Sequence, residues 1–142
     1  HWRGGAVDVI TPSHDYQTLV AGGRNYVNSV TNEVDALSET GTTGSSTKVG
    51  ALTVPRWEVQ GALWPDARNG AANPRVLFIG GSGNDNLPLA VVDVFTTQGV
   101  LLGATAMNVP RTGHRAVTIG AGGAAGTGAP AAVGRLSRHY RG

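Results

Sequence analysis

Leu19-Val20-Ala21-Gly22-Gly23 and Leu77-Phe78-Ile79-Gly80-Gly81 are one phrase written twice, an apolar run closed by a glycine pair, with Gly22 and Gly80 58 positions apart. Two further pairs keep the same order. Glu33-Val34-Asp35 matches Val91-Val92-Asp93, again at 58 positions, and Leu52-Thr53-Val54-Pro55-Arg56 matches Met107-Asn108-Val109-Pro110-Arg111 at 55. Three matches in register define an internal repeat, and such a period points to an array of supersecondary units. Each proline-arginine lead is followed by a small-residue strand: Gly61-Ala62-Leu63-Trp64 after the first, His114-Arg115-Ala116-Val117-Thr118-Ile119 after the second. Gly5-Ala6-Val7-Asp8-Val9-Ile10 reads as the same strand at the start of the chain.

Every part of the repeat reads as β-strand. Thr18 to Gly23 is nearly continuous in apolar residues, as expected of a strand covered on both faces. Val30 to Leu37 alternates, with Val30, Asn32, Val34 and Ala36 on one side. Lys48 to Thr53 predicts a weaker outer strand. The second unit predicts strands over Gly61–Trp64, Val76–Gly81, Ala90–Thr96 and Val100–Ala106. Turn-forming residues separate them at Pro12 to Asp15, Asp66 to Pro74, Ser82 to Pro88 and Thr97 to Gly99. Four short strands in a unit of roughly 50 residues is the composition of a β-propeller blade.

The composition agrees with an all-β chain. Of 142 residues, 14% are charged, against roughly 25% in an ordinary soluble domain, and 22 glycines and 7 prolines supply turns. Net charge is +2. The basic cluster Arg135, Arg138, His139 and Arg141 lies at one end, with Tyr140 alone among it to stack on a base, so nucleic acid is not an expected partner. The chain has no cysteine, which excludes disulfides and thiolate metal sites. No run reaches the roughly 18 apolar residues of a membrane span. The first residue is His1, so the chain is expected to be processed or part of something longer.

These features together resemble the kelch repeat of kelch-like and galactose-oxidase-type propellers, in a divergent bacterial variety, over about residues 1–120. The Gly-Gly strand ends, the Val-Asp strand, the Val-Pro-Arg lead and the His-Arg-Ala-Val strand carry the likeness. Glu39-Thr40-Gly41 and Thr97-Gln98-Gly99 stand where that variety has a Thr-Gly element. The strands before Asp35 and Asp93 lack the usual tyrosine, the outer strands lack the usual tryptophan, and a Thr/Gly/Ser stretch fills positions 40–47. The resemblance implies an all-β propeller segment of about two four-stranded blades plus the first strand of a third. The divisions are 1–60, 61–111 and 112–123, with a Gly/Ala-rich loop and basic tail over 124–142. Gly22, Gly23, Asp35, Arg56, Gly80, Gly81, Asp93, Arg111 and His114 are then structural positions of the repeat. Arg56 and Arg111 are expected to bond carbonyls or carboxylates between blades, with Asp35 and Asp93 as candidate partners.

No catalytic residue, cofactor or metal is expected. Ser82-Gly83-Asn84-Asp85-Asn86 lacks the spaced acids of a calcium loop and reads as a turn; Asn84, Asp85 and Asn86 are instead a candidate partner-binding loop. Val117 to Gly126 has the glycines of a dinucleotide turn but not the helix that must follow. His114 lacks a paired nucleophile, and copper–tyrosine chemistry of the galactose-oxidase kind needs a cysteine. The expected function is a non-enzymatic protein-interaction or structural module, extracellular or at the cell surface. Its partner would be another protein, or other copies or segments that complete the propeller. The other reading is the propeller portion of a secreted enzyme or carbohydrate-binding protein.

Overall fold

A computed structural model describes residues 3–13, 15–40, 43–65, 74–119 and 129–133. These form ten strands and no helix. The first four, β1 (Gly5–Ile10), β2 (Tyr16–Ala21), β3 (Glu33–Thr40) and β4 (Thr43–Ala51), make one antiparallel sheet in sequential order. The next four, β5 (Gln60–Trp64), β6 (Arg75–Ile79), β7 (Leu89–Phe95) and β8 (Leu101–Arg111), make a second of the same order. A two-stranded pair follows, β9 (Arg115–Ile119) with β10 (Ala129–Val133).

The repeat in the sequence is a repeat in the backbone. Gly22 and Gly80 have φ of 68° and 61°, Gly23 and Gly81 of 92° and 101°. Their amides make matching bonds: Gly22 N–H to the Glu33 carbonyl and Gly80 N–H to that of Val91, then Gly23 N–H to Arg56 and Gly81 N–H to Arg111. Asn28 and Asn86, 58 positions apart, are also left-handed at 64° and 62°. A third set recurs at intervals of 55, Arg3 at 57°, Glu58 at 55° and Gly113 at 62°, each shortly before an inner strand. Left-handed backbone is free for glycine but costs an ordinary residue about 1–2 kcal/mol. The glycine pairs have a second reason. A Cβ on Gly22 would strike the Arg56 carbonyl, and one on Gly81 would lie 2.6 Å from the Trp57 carbonyl.

The two sheets pack face to face. Val7, Val9, Leu19, Ala21, Val34 and Ala36 of the first meet Val76, Phe78 and Phe95 of the second, with Leu52 and Val59 from the connecting segment between them. The Phe78 and Phe95 rings meet edge to face at 5.7 Å. The opposite face of the second sheet carries Ala62, Leu77, Ile79 and Val92, against which Met107 of β8 and Ala116 of β9 pack. This explains the unbroken apolar run of β6: its alternate residues belong to two different cores. The inner strands β1 and β5 approach so closely that a Cβ on Gly61 would meet the Val7 side chain and the Ala6 carbonyl. At the other end of the sheets, the Gln17 amide donates to the Thr97 carbonyl at 2.7 Å, fastening β2 to the β7–β8 turn.

Four elements differ from the sequence expectation. Strand β8 runs on to Arg111 instead of ending at Ala106, so the second proline-arginine lead is part of it. The outer strand of the first unit begins at Thr43 rather than near Lys48, because the Thr/Ser stretch pairs with the end of β3. Ser38 and Ser45 hydroxyls meet there at 2.8 Å, and threonine suits a half-exposed strand. Strand β3 starts at Glu33, leaving Val30 in an isolated bridge with Arg24. Strand β10 falls inside 124–142, read as a loop and tail; Pro130 is tolerated in it because a two-stranded pair consists only of edge strands. The remaining expectations for 120–128 and 134–142, including the basic cluster Arg135 to Arg141, lie outside the described residues, as does most of the Asp66 to Pro74 turn.

Two glycines provide a paired test. Gly61→Val forces β1 from β5 and is expected to lower stability by about 1–3 kcal/mol. Gly103→Val on β8, where a Cβ would meet nothing within 4 Å, is expected to stay within about 0.5 kcal/mol of wild type. Equilibrium urea unfolding of both variants measures the difference.

Candidate functional site: the seam between units and the loop face

Arg56 is fully buried, and its guanidinium donates four hydrogen bonds. Nε donates to the Gly80 carbonyl at 2.7 Å and Nη2 to that of Phe78 at 2.9 Å. Nη1 reaches the Val54 carbonyl at 3.2 Å and Asp93 Oδ2 at 3.0 Å. Asp93, also fully buried, accepts two more bonds from Thr53, at 2.9 Å from its N–H and 2.7 Å from its hydroxyl. The lead that closes the first unit is thereby bolted to β6 and β7 of the second. Burial lowers the Arg56 pKa from its ordinary value, and the neighbouring Asp93 carboxylate opposes that fall. All three guanidinium nitrogens meet an acceptor, one of them the carboxylate, which offsets the cost of burying the charge.

The sequence positions divide accordingly. Arg56 and Asp93 are brought together, with Gly80 supplying one carbonyl. Gly81 holds the Arg111 carbonyl through its N–H, as Gly23 holds that of Arg56. The Arg111 side chain has no polar partner among the described residues, and Asp35, half-buried on β3 opposite Val20, meets neither arginine. His114 is 1% exposed. It occupies the place held 55 positions earlier by the buried Val59, with its ring edge against Gly80. Neither ring nitrogen finds a hydrogen-bond partner. Burial, and secondarily the charge of Arg111, lowers its pKa from 6.5. That is a packing residue held neutral, without the partners of a general base.

A second cluster, invisible to the repeat, sits where the β2–β3 and β6–β7 loops emerge. Arg24 donates to the Asn28 carbonyl at 2.8 Å in its own loop and to Asn86 Oδ1 at 3.2 Å in the next. Its guanidinium lies 4.4 Å from the centre of the Trp57 ring, within cation–π range. Arg3 approaches the same ring at 5.5 Å and pairs with Glu58 at 2.8 Å. The other Glu58 oxygen accepts from the Thr112 hydroxyl at 3.0 Å, which in turn accepts from Ser82 at 2.8 Å. Of the candidate loop, Asn84 and Asp85 are exposed; Asp85 caps the Leu87 N–H at 3.0 Å, and Asn86 is the residue gripped by Arg24. Around this frame Tyr26 (98% exposed), Val27 and Leu87 stand in solvent. Only Asn84 to Asn86 were singled out from sequence. The available signal for the rest was the placement of Arg24 and Trp57 directly after the Gly-Gly and Pro-Arg elements.

Neither a protein-family model nor a curated protein matches the chain. Among the described residues, no helix is long and apolar enough to cross a membrane.

Two measurements probe the seam. Arg56→Met leaves Asp93 buried and uncompensated and is expected to cost about 3–5 kcal/mol, whereas adding Asp93→Leu recovers much of that loss; a double-mutant cycle from urea unfolding reads the coupling. For His114 the folded pKa lies below the unfolded one. Its contribution is therefore complete above pH 6.5 and is lost as pH falls through the lowered folded value. Stability compared at pH 7.5 and 5.5 is expected to drop less in His114→Val, the residue type the preceding unit already uses at this position.

Proposed function

We propose that the chain is a segment of a kelch-type β-propeller that works as a non-enzymatic protein-interaction module in a larger protein or assembly, outside the cell or at its surface. The two sheets are its first two blades and β9 opens the next. The reading is supported by four-stranded meanders stacked face to face and by the glycine pairs and lead arginine that recur in each. Ile10, Tyr16 and Leu37 are exposed on the side of the first sheet turned away from the second. In a closed ring that side is covered by another blade, from the same polypeptide or from another copy.

The observation that carries the interaction reading is Arg24. One side chain fixes two neighbouring loops and an aromatic ring into a single platform, with Tyr26, Val27 and Leu87 exposed around it. Rigid loops presenting apolar and aromatic tips have the chemistry of an interface core. A photoreactive benzophenone amino acid in place of Tyr26, in the full-length protein in its native host, is expected to give a protein adduct of discrete mass. The same group in place of the exposed Val100, in the β7–β8 turn at the opposite end of the second sheet, gives none, and Arg24→Ala abolishes the adduct at position 26. Equal labelling from both positions, or none from position 26, counts against the reading.

A further inference from the structure

Resting on that reading, the structure assigns a carboxylate-binding cleft to the inner edge of the loop face, and we propose that it takes an aspartate or glutamate side chain from an acidic peptide segment of the partner. The cleft has a volume of about 620 Å³ and is lined by Arg3, Glu58, Gln60, Gly113 and Arg115, among others. Its construction follows from the repeat. Arg3, Glu58 and Gly113 are the three left-handed residues that precede β1, β5 and β9. Two residues further on, Gln60 and Arg115 open β5 and β9. Gly113 contributes no side chain, which leaves space between Glu58 and Arg115. Arg3 and Glu58 keep long charged side chains at positions where glycine is the unstrained choice, and strain of this kind collects at functional sites.

The charges in the cleft do not cancel. Glu58 has both oxygens committed, one to Arg3 and one to Thr112. Arg115 is exposed, and no hydrogen bond or ion pair to it occurs among the described residues. Its fork is therefore available, and a carboxylate can accept two parallel N–H bonds from it. The Gln60 amide is a further donor on the same wall. Arg3 joins the cleft to the loop platform, because its guanidinium and that of Arg24 flank one Trp57 ring. Three arginines with Glu58 among them present a positive field, and the apolar tips of Tyr26 and Leu87 border it. An acidic peptide with interspersed apolar residues is complementary to both parts. A cationic partner would meet Arg115 unscreened.

The test is fluorescence anisotropy on the full-length protein with a fluorescein-labelled peptide alternating Asp and Glu with Gly and Ser, beside its Asn/Gln counterpart. The acidic peptide is expected to bind and the amide peptide not, with affinity falling as salt is raised. Arg115→Gln is expected to weaken binding about tenfold, and Arg115→Glu to abolish it. The urea midpoint stays unchanged because the side chain supports nothing in the fold. Sodium glutamate is expected to compete at least as well as inorganic phosphate. No binding, equal binding of the amide peptide, indifference to both Arg115 variants, or displacement by phosphate at far lower concentration than glutamate overturns the assignment. If the acidic peptide fails while the position-26 adduct persists, the carboxylate cleft alone falls. If both fail, the interaction-module reading falls with it.

Discussion

A single buried guanidinium sets the terms for the rest of the molecule. Arg56 needs acceptors on every side once water is gone, and the chain supplies them from a neighbouring sheet: two carbonyls at the end of β6 and a carboxylate on β7. The β6 carbonyls can face the arginine only because the strand stops at a left-handed glycine pair. Asp93, buried beside Arg56, accepts two more bonds from Thr53, three residues before the arginine. Val59, Phe78 and Phe95 belong to the apolar core between the same two sheets. Buried ion pairs contribute little net stability against an apolar substitute, so the value of this one is register. It tells one sheet where the next must sit.

Much of this was legible in the chain because the repeat is punctuated by residues with narrow backbone meaning. Glycine pairs, proline-arginine leads and Asn/Asp turns recur at fixed intervals, and each forces a local geometry that needs no tertiary help. The strands between them follow. Less legible was anything settled by a neighbouring unit. The Arg–Asp partnership joins different units, so nothing near Arg56 points to Asp93 rather than Asp35. The hairpin formed by the ends of β3 and β4 is built from serine and threonine, which serve a loop as readily as an exposed strand. Strand β10 contains a proline and alanines, weak strand formers that pair only because β9 offers an open edge.

The candidate site was legible in part and for the same reason. Asn84 to Asn86 stood out as a turn, and the turn is where sequence suggested; its anchor is not. Arg24 reaches Asn86 across 62 positions, and Trp57 comes from a third segment. Neither residue belongs to the repeat: the matching positions in the second unit are Ser82 and Thr112. His114 shows the opposite case. Read from sequence as a structural position, it fills a hole that valine fills one unit earlier.

The direction of the arginine clamp carries a further consequence. The Arg56 lead reaches forward, into the sheet that follows it in the chain, and finds its acceptors there. Donor and socket thus lie in successive units. A gene of this kind can lengthen or shorten by whole repeats and leave every junction chemically familiar, while a partial duplication would strand a charged arginine opposite the wrong carbonyls. The same bond that aligns two sheets in space therefore restricts which changes of length inheritance can keep.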